Sequence, residues 1–377
     1  MKYINKKRLI DTFCELAKIK SPSGHEQEIA RLLIKRLKAL GLKVTQDAYG
    51  NVISRLSGHG RAIILCAHMD TVAIGPGKEI IPIIKGNTIR SNGKTILGAD
   101  NKDSVAAILE SLSVVTERNL PIRPVEIIFT REEEAISKGA RNLDFSLITG
   151  KECIIADASY PYGTIILSAP YNYNFEIMIQ GKRSHAAVPE KGKNAASIAF
   201  QAASRISLGK IDKFTRVNIS FGVIGLRGNA DQKIINLPVA LRTRNNVPDY
   251  AHLYGEVRGA KIELVKKTLD KIKAEFEKAA REVGARSVFS VQKQATGYYY
   301  TKSDPLIKEI IKVLQAQNKK SAFTHSLGGS DANILASKGI KAVVISSPGL
   351  NPHTFSEYLK IPDLVLLADF YFRVMTK

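Results

Sequence analysis

Short apolar runs that alternate with amphipathic helical stretches constrain the fold of this chain more than any other feature. The runs RAIILCA (61–67), VEIIFT (125–130) and IIA (154–156) are bounded by polar residues, which is typical of buried strands. Helical periodicity occurs between them, at residues 6–19, 26–40 and 105–116. Buried strands that alternate with helices predict a mostly parallel sheet with helices on both faces, an α/β fold.

The middle of the chain has a different pattern, which predicts a second domain. The segment NFEIMIQ alternates apolar and polar residues, as a half-exposed strand does. The elements predicted here have the order β-α-β-β-α-β, at residues 174–180, 194–206, 217–224, 252–258, 262–283 and 287–292. That order describes a small ferredoxin-like sandwich. The first pattern then resumes, so we expect residues 171–292 to be inserted into a discontinuous domain of residues 1–170 and 293–377.

Charge and cysteine content limit the classes of partner. The 377 residues carry 56 Lys and Arg against 35 Asp and Glu, a net charge of +21, but the basic residues are spread over the polar faces of helices. A nucleic-acid partner is therefore not the favoured interpretation. No apolar stretch is long enough for a membrane span, so no membrane partner is expected. Three cysteines without a CxxC pair predict a reducing compartment, the cytoplasm.

Acidic and imidazole side chains follow the ends of the apolar runs. His68 and Asp70 come directly after RAIILCA, and residues two apart on an extended chain face the same way. His68 can then bind a metal ion while Asp70 points into the same pocket. The three glutamates at 132–134 follow VEIIFT, and clustered carboxylates repel unless cations offset them. Asp157 comes after the third run.

Two further positions complete a candidate metal site. Asp100 lies in LGADNKD before a helix, where it can bridge two ions or serve as a helix N-cap. Asp103 fits the helix dipole and is interpreted as structural. His353 lies in the Pro/Gly-rich loop SPGLNPHTFSE. Ligands of open α/β sheets bind beyond the carboxyl ends of the strands, and two imidazoles with three carboxylates form a sensible ligand set for two zinc ions.

These motifs resemble the M20 metallopeptidase family, and most closely its peptidase T-like branch. The resemblance covers nearly the whole chain and rests on HMDTV, LGADNK, EEE...KGA, GKRSHAAVPEKGKNAASIA, VPDYAHLYGEVRG, GGSDAN and NPHTFSEY. It implies a zinc-exopeptidase-like catalytic domain at residues 1–170 and 293–377, and a lid or dimerisation domain at 171–292. The activity it implies is hydrolysis of short peptides, of the aminopeptidase or tripeptidase type.

The resemblance also implies roles residue by residue. Glu133 is the general base, and Asp70 orients His68. The family's pair of glutamates aligns with Glu133 and Glu134, and the alternative is a slip of one residue towards Glu132. Five residues hold two Zn²⁺ ions, for which Co²⁺ or Mn²⁺ can substitute: His68 and Asp157 hold one, Glu134 and His353 hold the other, and Asp100 bridges them.

Further positions match residues that contact substrate in relatives. His185 matches a histidine of the inserted domain that supports the tetrahedral intermediate, often from a partner subunit, so a homodimer is expected. Arg258 matches an arginine that holds the substrate carboxylate, and the peptide bond after Asp100 is expected to be cis. A loop that lines the pocket matches Gly328, Gly329, Ser330, Asp331 and Asn333.

Other interpretations of the function use the same residues. An N-acyl amino-acid deacylase or a carboxypeptidase has the same metal chemistry and differs only in the pocket, so free peptides and N-acyl amino acids both stay open as substrates. A non-catalytic binding module would be favoured by a missing ligand, and none is missing. Nucleic-acid binding as the main role rests on net charge alone.

Overall fold

The computed structural model describes residues 2–74, 79–225 and 245–376. The chain divides into two compact units, of which unit 1 comprises Met1–Ser168 with Tyr300–Lys377, and unit 2 comprises Ala169–Tyr299. Unit 2 runs beyond residue 292, because its last long strand continues to Ala295 and a short strand follows at Tyr298–Tyr299. Among the residues that the structure describes, no helix is both long and apolar enough to cross a membrane.

The elements of the described ranges are numbered here in chain order. The strands are β1 (Lys43–Gln46), β2 (Val52–Leu56), β3 (Ile63–His68), β4 (Ile83–Lys85), β5 (Thr88–Arg90), β6 (Val125–Thr130), β7 (Glu152–Ala158), β8 (Thr164–Ile166), β9 (Ser168–Ala169), β10 (Tyr171–Gln180), β11 (Gly209–Lys210), β12 (Arg216–Gly225), β13 (Tyr250–Gly259), β14 (Arg286–Ala295), β15 (Tyr298–Tyr299), β16 (Ala322–Thr324), β17 (Lys341–Ser346), β18 (Gly349–Leu350) and β19 (Tyr358–Lys360). The helices are α1 (Lys6–Lys18), α2 (Gln27–Ala39), α3 (Ala99–Glu117), α4 (Lys138–Arg141), α5 (Ala195–Ser204), α6 (Ile262–Glu282), α7 (Pro305–Ala316), α8 (Asp331–Ser337) and α9 (Ile361–Met375).

An eight-stranded sheet forms the centre of unit 1, in the order β1-β2-β6-β3-β7-β17-β8-β16. Its four middle strands, β6, β3, β7 and β17, are parallel to one another. All residues of β3 and β6 are buried, since helices such as α1, α3 and α9 pack their apolar residues against the same core. The prediction of a mostly parallel sheet with helices is therefore confirmed.

Parallel strands that end together gather the candidate residues at one edge of this sheet. His68 is the last residue of β3 and pairs with Thr130, the last residue of β6. Glu133 and Glu134 follow three and four residues later. Asp157 lies inside β7, so its predicted position after the strand is wrong by a short distance, because β7 continues to Ala158 through its pairing with β17.

Unit 2 is an antiparallel sheet covered by two helices. The order β11-β12-β13-β10-β14 places the first long strand, β10, between β13 and β14, as in a ferredoxin-like sandwich. Helices α5 and α6 bury residues such as Ile198 and Phe276 in one core with Ile177 of β10. The short strand β11 is an addition to the predicted β-α-β-β-α-β order.

Candidate metal centre

Asp100 lies between two imidazoles that come from distant parts of the chain. The helix α3 begins at this point, but Asp100 and Asn101 have non-helical backbone angles, and their peptide bond is cis, as the resemblance implies. One carboxylate oxygen of Asp100, Oδ1, is 3.0 Å from Nε2 of His68, and the other, Oδ2, is 3.5 Å from Nε2 of His353. The carboxylate thus presents its two oxygens to two different ring nitrogens.

Each imidazole also faces one terminal carboxylate. Asp157 Oδ1 is 3.6 Å from Nε2 of His68, and Glu134 Oε1 is 2.7 Å from Nε2 of His353. Asn101 donates from Nδ2 to Asp157 at 3.1 Å, which fixes that carboxylate. The two imidazoles differ in exposure, since the side chain of His68 is 2% exposed and that of His353 is 48% exposed.

The carboxylate of Asp70 holds the loop that carries the glutamates. Its two oxygens accept hydrogen bonds from the backbone N–H groups of Glu133 at 2.9 Å and Glu134 at 3.1 Å. Ser23 donates its hydroxyl to the same carboxylate at 2.7 Å. Nδ1 of His68 lies 3.0 Å from the backbone oxygen of Asp70 and 3.3 Å from its carboxylate. Asp70 thus contacts the ring and also positions the glutamate loop, which the sequence did not indicate.

The three consecutive glutamates point to different surroundings. Glu132 accepts a hydrogen bond from the hydroxyl of Tyr49 at 2.9 Å and lies 3.4 Å from the ammonium of Lys138. Glu133 and Glu134, in contrast, have carboxylate oxygens close to a ring nitrogen of His68. These contacts favour the alignment with Glu133 and Glu134 over the slip towards Glu132.

Neighbouring carboxylates keep both imidazoles charged in the protein alone. Asp100 and Glu134 raise the pKa of His353 to about 10. Burial works against the charged form of His68, but Asp100, Asp157 and Asp70 outweigh it and hold its pKa well above the usual value. Each ring therefore carries a proton at neutral pH, at the position that a metal ion would take.

Burial and mutual repulsion act on the acids. Burial, and then the charge of Asp157, raise the pKa of Glu133 well above its usual value. Burial raises the pKa of Asp157 to about 7 against the opposing effect of His68. Asp100 is half-buried, and burial opposes its charge, but His353 and His68 together hold its pKa well below the usual value. The site thus has more acidic groups than the two imidazoles neutralise, which favours the uptake of cations.

The donor set fits metal ions. Oxygen and nitrogen donors form three overlapping groups, and within each group they lie within 4.8 Å of one another: His68 with Asp100 and Asp157, His68 with Glu133 and Glu134, and Asp100 with Glu134 and His353. Asp100 belongs to two of these groups and His68 to two, so the structure brings all five predicted ligands and Glu133 together. Imidazole and carboxylate donors of this kind suit zinc.

The loop before α8 has a mixed environment. Gly328 and Gly329 are exposed, whereas Asp331 and Asn333 are buried. Asp331 accepts a hydrogen bond from the Thr130 hydroxyl at 2.5 Å, and Asn333 forms a capping box with Ser330. The side chains of Asp331 and Asn333 therefore support the end of β6 and the start of α8.

Two predicted residues lie in unit 2. His185 is exposed, and its Nδ1 accepts a hydrogen bond from the backbone N–H of Ala187 at 3.1 Å. Arg258 lies on β13 and pairs with Glu256 of the same strand through its Nε and a terminal nitrogen. Both residues belong to the body of unit 2, and the candidate metal ligands all belong to unit 1.

Several supporting residues had no clear signal in the sequence. Ser23 was part of a loop, and Glu357 was only the last acidic residue of the motif around His353. Glu357 accepts hydrogen bonds from the backbone N–H groups of residues 97–100, next to the carboxylate of Asp100. A serine or glutamate in a loop is common, so only the three-dimensional contacts identify these two.

A mixed α/β fold that carries clustered imidazoles and carboxylates is typical of metal-dependent hydrolases. Comparison with known proteins agrees with this class. Residues 64–377 match the model of peptidase family M20/M25/M40. The structure is similar to that of aminopeptidase PepT from Bacillus cereus, with a TM-score of 0.88, 31% identity and 99% of each chain covered. It is also similar to a tripeptidase from Staphylococcus aureus, with a TM-score of 0.84, 30% identity, and 99% and 98% of the two chains covered.

A curated relative from Bacillus subtilis, the uncharacterized protein YqjE, is 33% identical over 377 residues, which cover 97% of each sequence. Together with the match of the family model to most of the chain, this similarity identifies the family of the protein. The chain belongs to peptidase family M20/M25/M40 and is a hydrolase of peptide or amide bonds.

Uptake of metal is expected to release protons. Because the pKa of His353 is raised to about 10, its ring is protonated near neutral pH and must lose that proton to bind a metal ion. Calorimetric titration of the metal-free protein in buffers with different ionisation heats measures this release. We expect release near neutral pH, weaker binding as the pH falls, and fewer protons released by His353→Ala.

His252→Ala is the matched control, since His252 also lies near one carboxylate, that of Glu176, but belongs to unit 2. It should release as many protons as the wild type. Metal binding with the same heat in every buffer would contradict the assignment of His353 as a protonated ligand.

Proposed function

We propose that this protein is a two-zinc peptidase that removes residues from short peptides. The observation that carries the proposal is the position of Asp100, whose two oxygens face the ring nitrogens of His68 and His353. A carboxylate that presents one oxygen to each of two imidazoles is suited to bridging two ions. A single helix N-cap, the alternative role, would not require this arrangement.

The ligand assignment follows the contacts. His68 with Asp157 would hold one ion, His353 with Glu134 would hold the other, and Asp100 would be shared. Zinc is the proposed metal, with Co²⁺ or Mn²⁺ as substitutes, because the donors are nitrogen and oxygen without sulfur. When bound, the pair of ions supplies Lewis-acid activation of a water molecule and polarises the scissile carbonyl.

Glu133 is proposed as the general base. Its carboxylate is not needed for the ligand sets, and burial among other acids raises its pKa, which makes it a stronger proton acceptor than an exposed glutamate. It takes the proton of the attacking water and then delivers it to the nitrogen of the leaving amine. Asp70 keeps Glu133 in position through the backbone of the glutamate loop.

Exchange of the glutamates tests this role. Glu133→Gln keeps the size of the side chain but removes its proton acceptor, so kcat should fall by about 100- to 10,000-fold while metal content stays at the wild-type level. Glu132→Gln is the control, since Glu132 contacts Tyr49 and Lys138 instead of the metal ligands. Wild-type turnover in Glu133→Gln, or an equal loss in Glu132→Gln, would show that the base is misassigned.

The proposed substrates are free di- and tripeptides. Support comes from the similarity to an aminopeptidase and a tripeptidase, each at 30% identity or more and over nearly the full chain. The alternative is an amidase with the same chemistry, such as an N-acyl amino-acid deacylase, or a carboxypeptidase. These differ from an aminopeptidase in whether the substrate needs a free amino terminus.

A substrate screen separates these alternatives. The zinc- or cobalt-loaded protein should hydrolyse free di- and tripeptides, and acetylation of the peptide's amino terminus should abolish hydrolysis because the free amine is lost. Product analysis by chromatography identifies the bond that is cleaved. Hydrolysis of N-acetyl amino acids without hydrolysis of free peptides would favour the deacylase instead.

Unit 2 is proposed to serve as a lid and dimerisation domain. His185 is proposed to support the oxyanion, and its tautomer is suitable, because Nδ1 accepts a hydrogen bond and leaves the Nε2 proton free to donate. Arg258 is proposed to bind the substrate carboxylate. The loop before α8 is proposed to line the pocket, with Gly328, Gly329, Ser330, Asp331 and Asn333. The cytoplasm is the proposed location, supported by three free cysteines.

A homodimer through unit 2 is supported by two exposed aromatic side chains. Phe200 of α5 and Phe221 of β12 are 56% and 41% exposed, with ring centroids 5.0 Å apart. Sedimentation velocity should show a dimer for the wild type and a monomer for Phe221→Asp. Val291→Asp, at an exposed position on the opposite edge strand β14, should remain dimeric. A monomeric wild type at every concentration would rule out this arrangement.

A further inference from the structure

The loop that carries His353 is attached at both ends to the segment that carries Asp100. At the end of the loop, Glu357 is 2% exposed and accepts hydrogen bonds from four consecutive backbone N–H groups. Its Oε2 is 2.7 Å from the nitrogens of Leu97 and Gly98. Its Oε1 is 2.8 Å from the nitrogen of Ala99 and 3.2 Å from that of Asp100 itself.

The beginning of the same loop has a second attachment. The backbone N–H of Gly349 donates to Oδ2 of Asp103 at 2.8 Å, and Asp103 is fully buried. Its other oxygen accepts the N–H of Ser104 at 2.6 Å. The loop from residue 349 to 357 is therefore tied to residues 97–103 by two buried carboxylates, one at each end.

These two carboxylates stabilise backbone segments that have few other hydrogen-bond partners. The N–H groups at the start of a helix have no partner within the helix, so the N–H groups of residues 97–100 depend on Glu357. In the loop, Asn351 and His353 have positive φ angles of 56° and 63°, which non-glycine residues rarely adopt. Surrounding contacts must hold such a conformation, and the two attachments lie on either side of it.

We propose that Glu357 and Asp103 are positioning residues that set the place of His353 relative to Asp100. Neither side chain is among the five metal ligands, and each acts through backbone. The inference rests on the proposed metal ligation, since it concerns how two of the ligands are kept in register. His353 and Asp100 would both bind the same ion, so a change in the distance between them would weaken the binding of that ion first.

A matched glutamate elsewhere in unit 1 separates positioning from general stability. Glu126 is 3% exposed and accepts hydrogen bonds from the backbone N–H groups of Thr149 at 3.0 Å and Gly150 at 2.9 Å. It lies near the start of β6, whereas the candidate site follows the other end of that strand. Glu126 also accepts from the hydroxyl of Thr149 and lies 3.2 Å from Nε of Arg55. Glu126→Gln therefore disturbs another buried carboxylate that holds backbone N–H groups, without touching the segments of Asp100 and His353.

The experiment compares zinc affinity in the wild type, Glu357→Gln and Glu126→Gln by competition with a chromophoric chelator. A glutamine can accept through only one oxygen and turns its amide N–H₂ towards backbone donors. We expect both variants to lose thermal stability, but only Glu357→Gln to bind one of its two zinc ions more weakly, by about 10- to 100-fold. Raising free zinc should restore its turnover. Equal zinc affinities in the two variants would overturn the proposal.

Two further measurements do not depend on the folding of Glu357→Gln. Asp103→Asn alters the other end of the loop and should weaken the binding of the same zinc ion. In the metal-free wild type, hydrogen exchange at the amides of residues 97–100 should be as slow as in β3; fast exchange there would overturn the proposal. A wild type that takes up no zinc would instead refute the proposed function.

Discussion

The attraction between the Asp100 carboxylate and two imidazoles is the interaction on which the candidate site depends. Four other acids, Asp70, Glu133, Glu134 and Asp157, lie around it in a largely buried environment, where like charges repel strongly. The imidazoles offset part of this repulsion, as the raised pKa values of both rings indicate. Cations that replace the ring protons would offset more of it, so the same electrostatics explain the folded cluster and its fit to metal.

Carboxylates that accept hydrogen bonds from backbone N–H groups fix three separate loops relative to one another. Asp70 holds the glutamate loop, Glu357 holds the start of α3, and Asp103 holds the start of the His353 loop. Hydrogen bonds with a charged acceptor are shorter and stronger than neutral ones. Candidate ligands on irregular segments are thereby fixed relative to the rigid parallel strands.

Much of this arrangement could be predicted from the sequence because strands and helices have characteristic periods. The buried runs that become β3 and β6 predicted a parallel sheet, and parallel strands bring their carboxyl ends to one edge. Periodicity alone therefore predicts that His68 and the glutamates lie close together. The exact end of β7 could not be predicted from periodicity, because it depends on pairing with β17. Asp157 consequently lies inside the strand.

The sequence by itself determined the fold class, the inserted domain and the set of acidic and imidazole residues, since periodicity and residue chemistry are local properties. Only the tertiary structure decided which glutamate faces Tyr49, that Asp331 and Asn333 are buried, and that Glu357 holds the segment of Asp100. These contacts join residues as many as 260 positions apart. Chain packing, which no local pattern encodes, brings such residues within hydrogen-bonding distance.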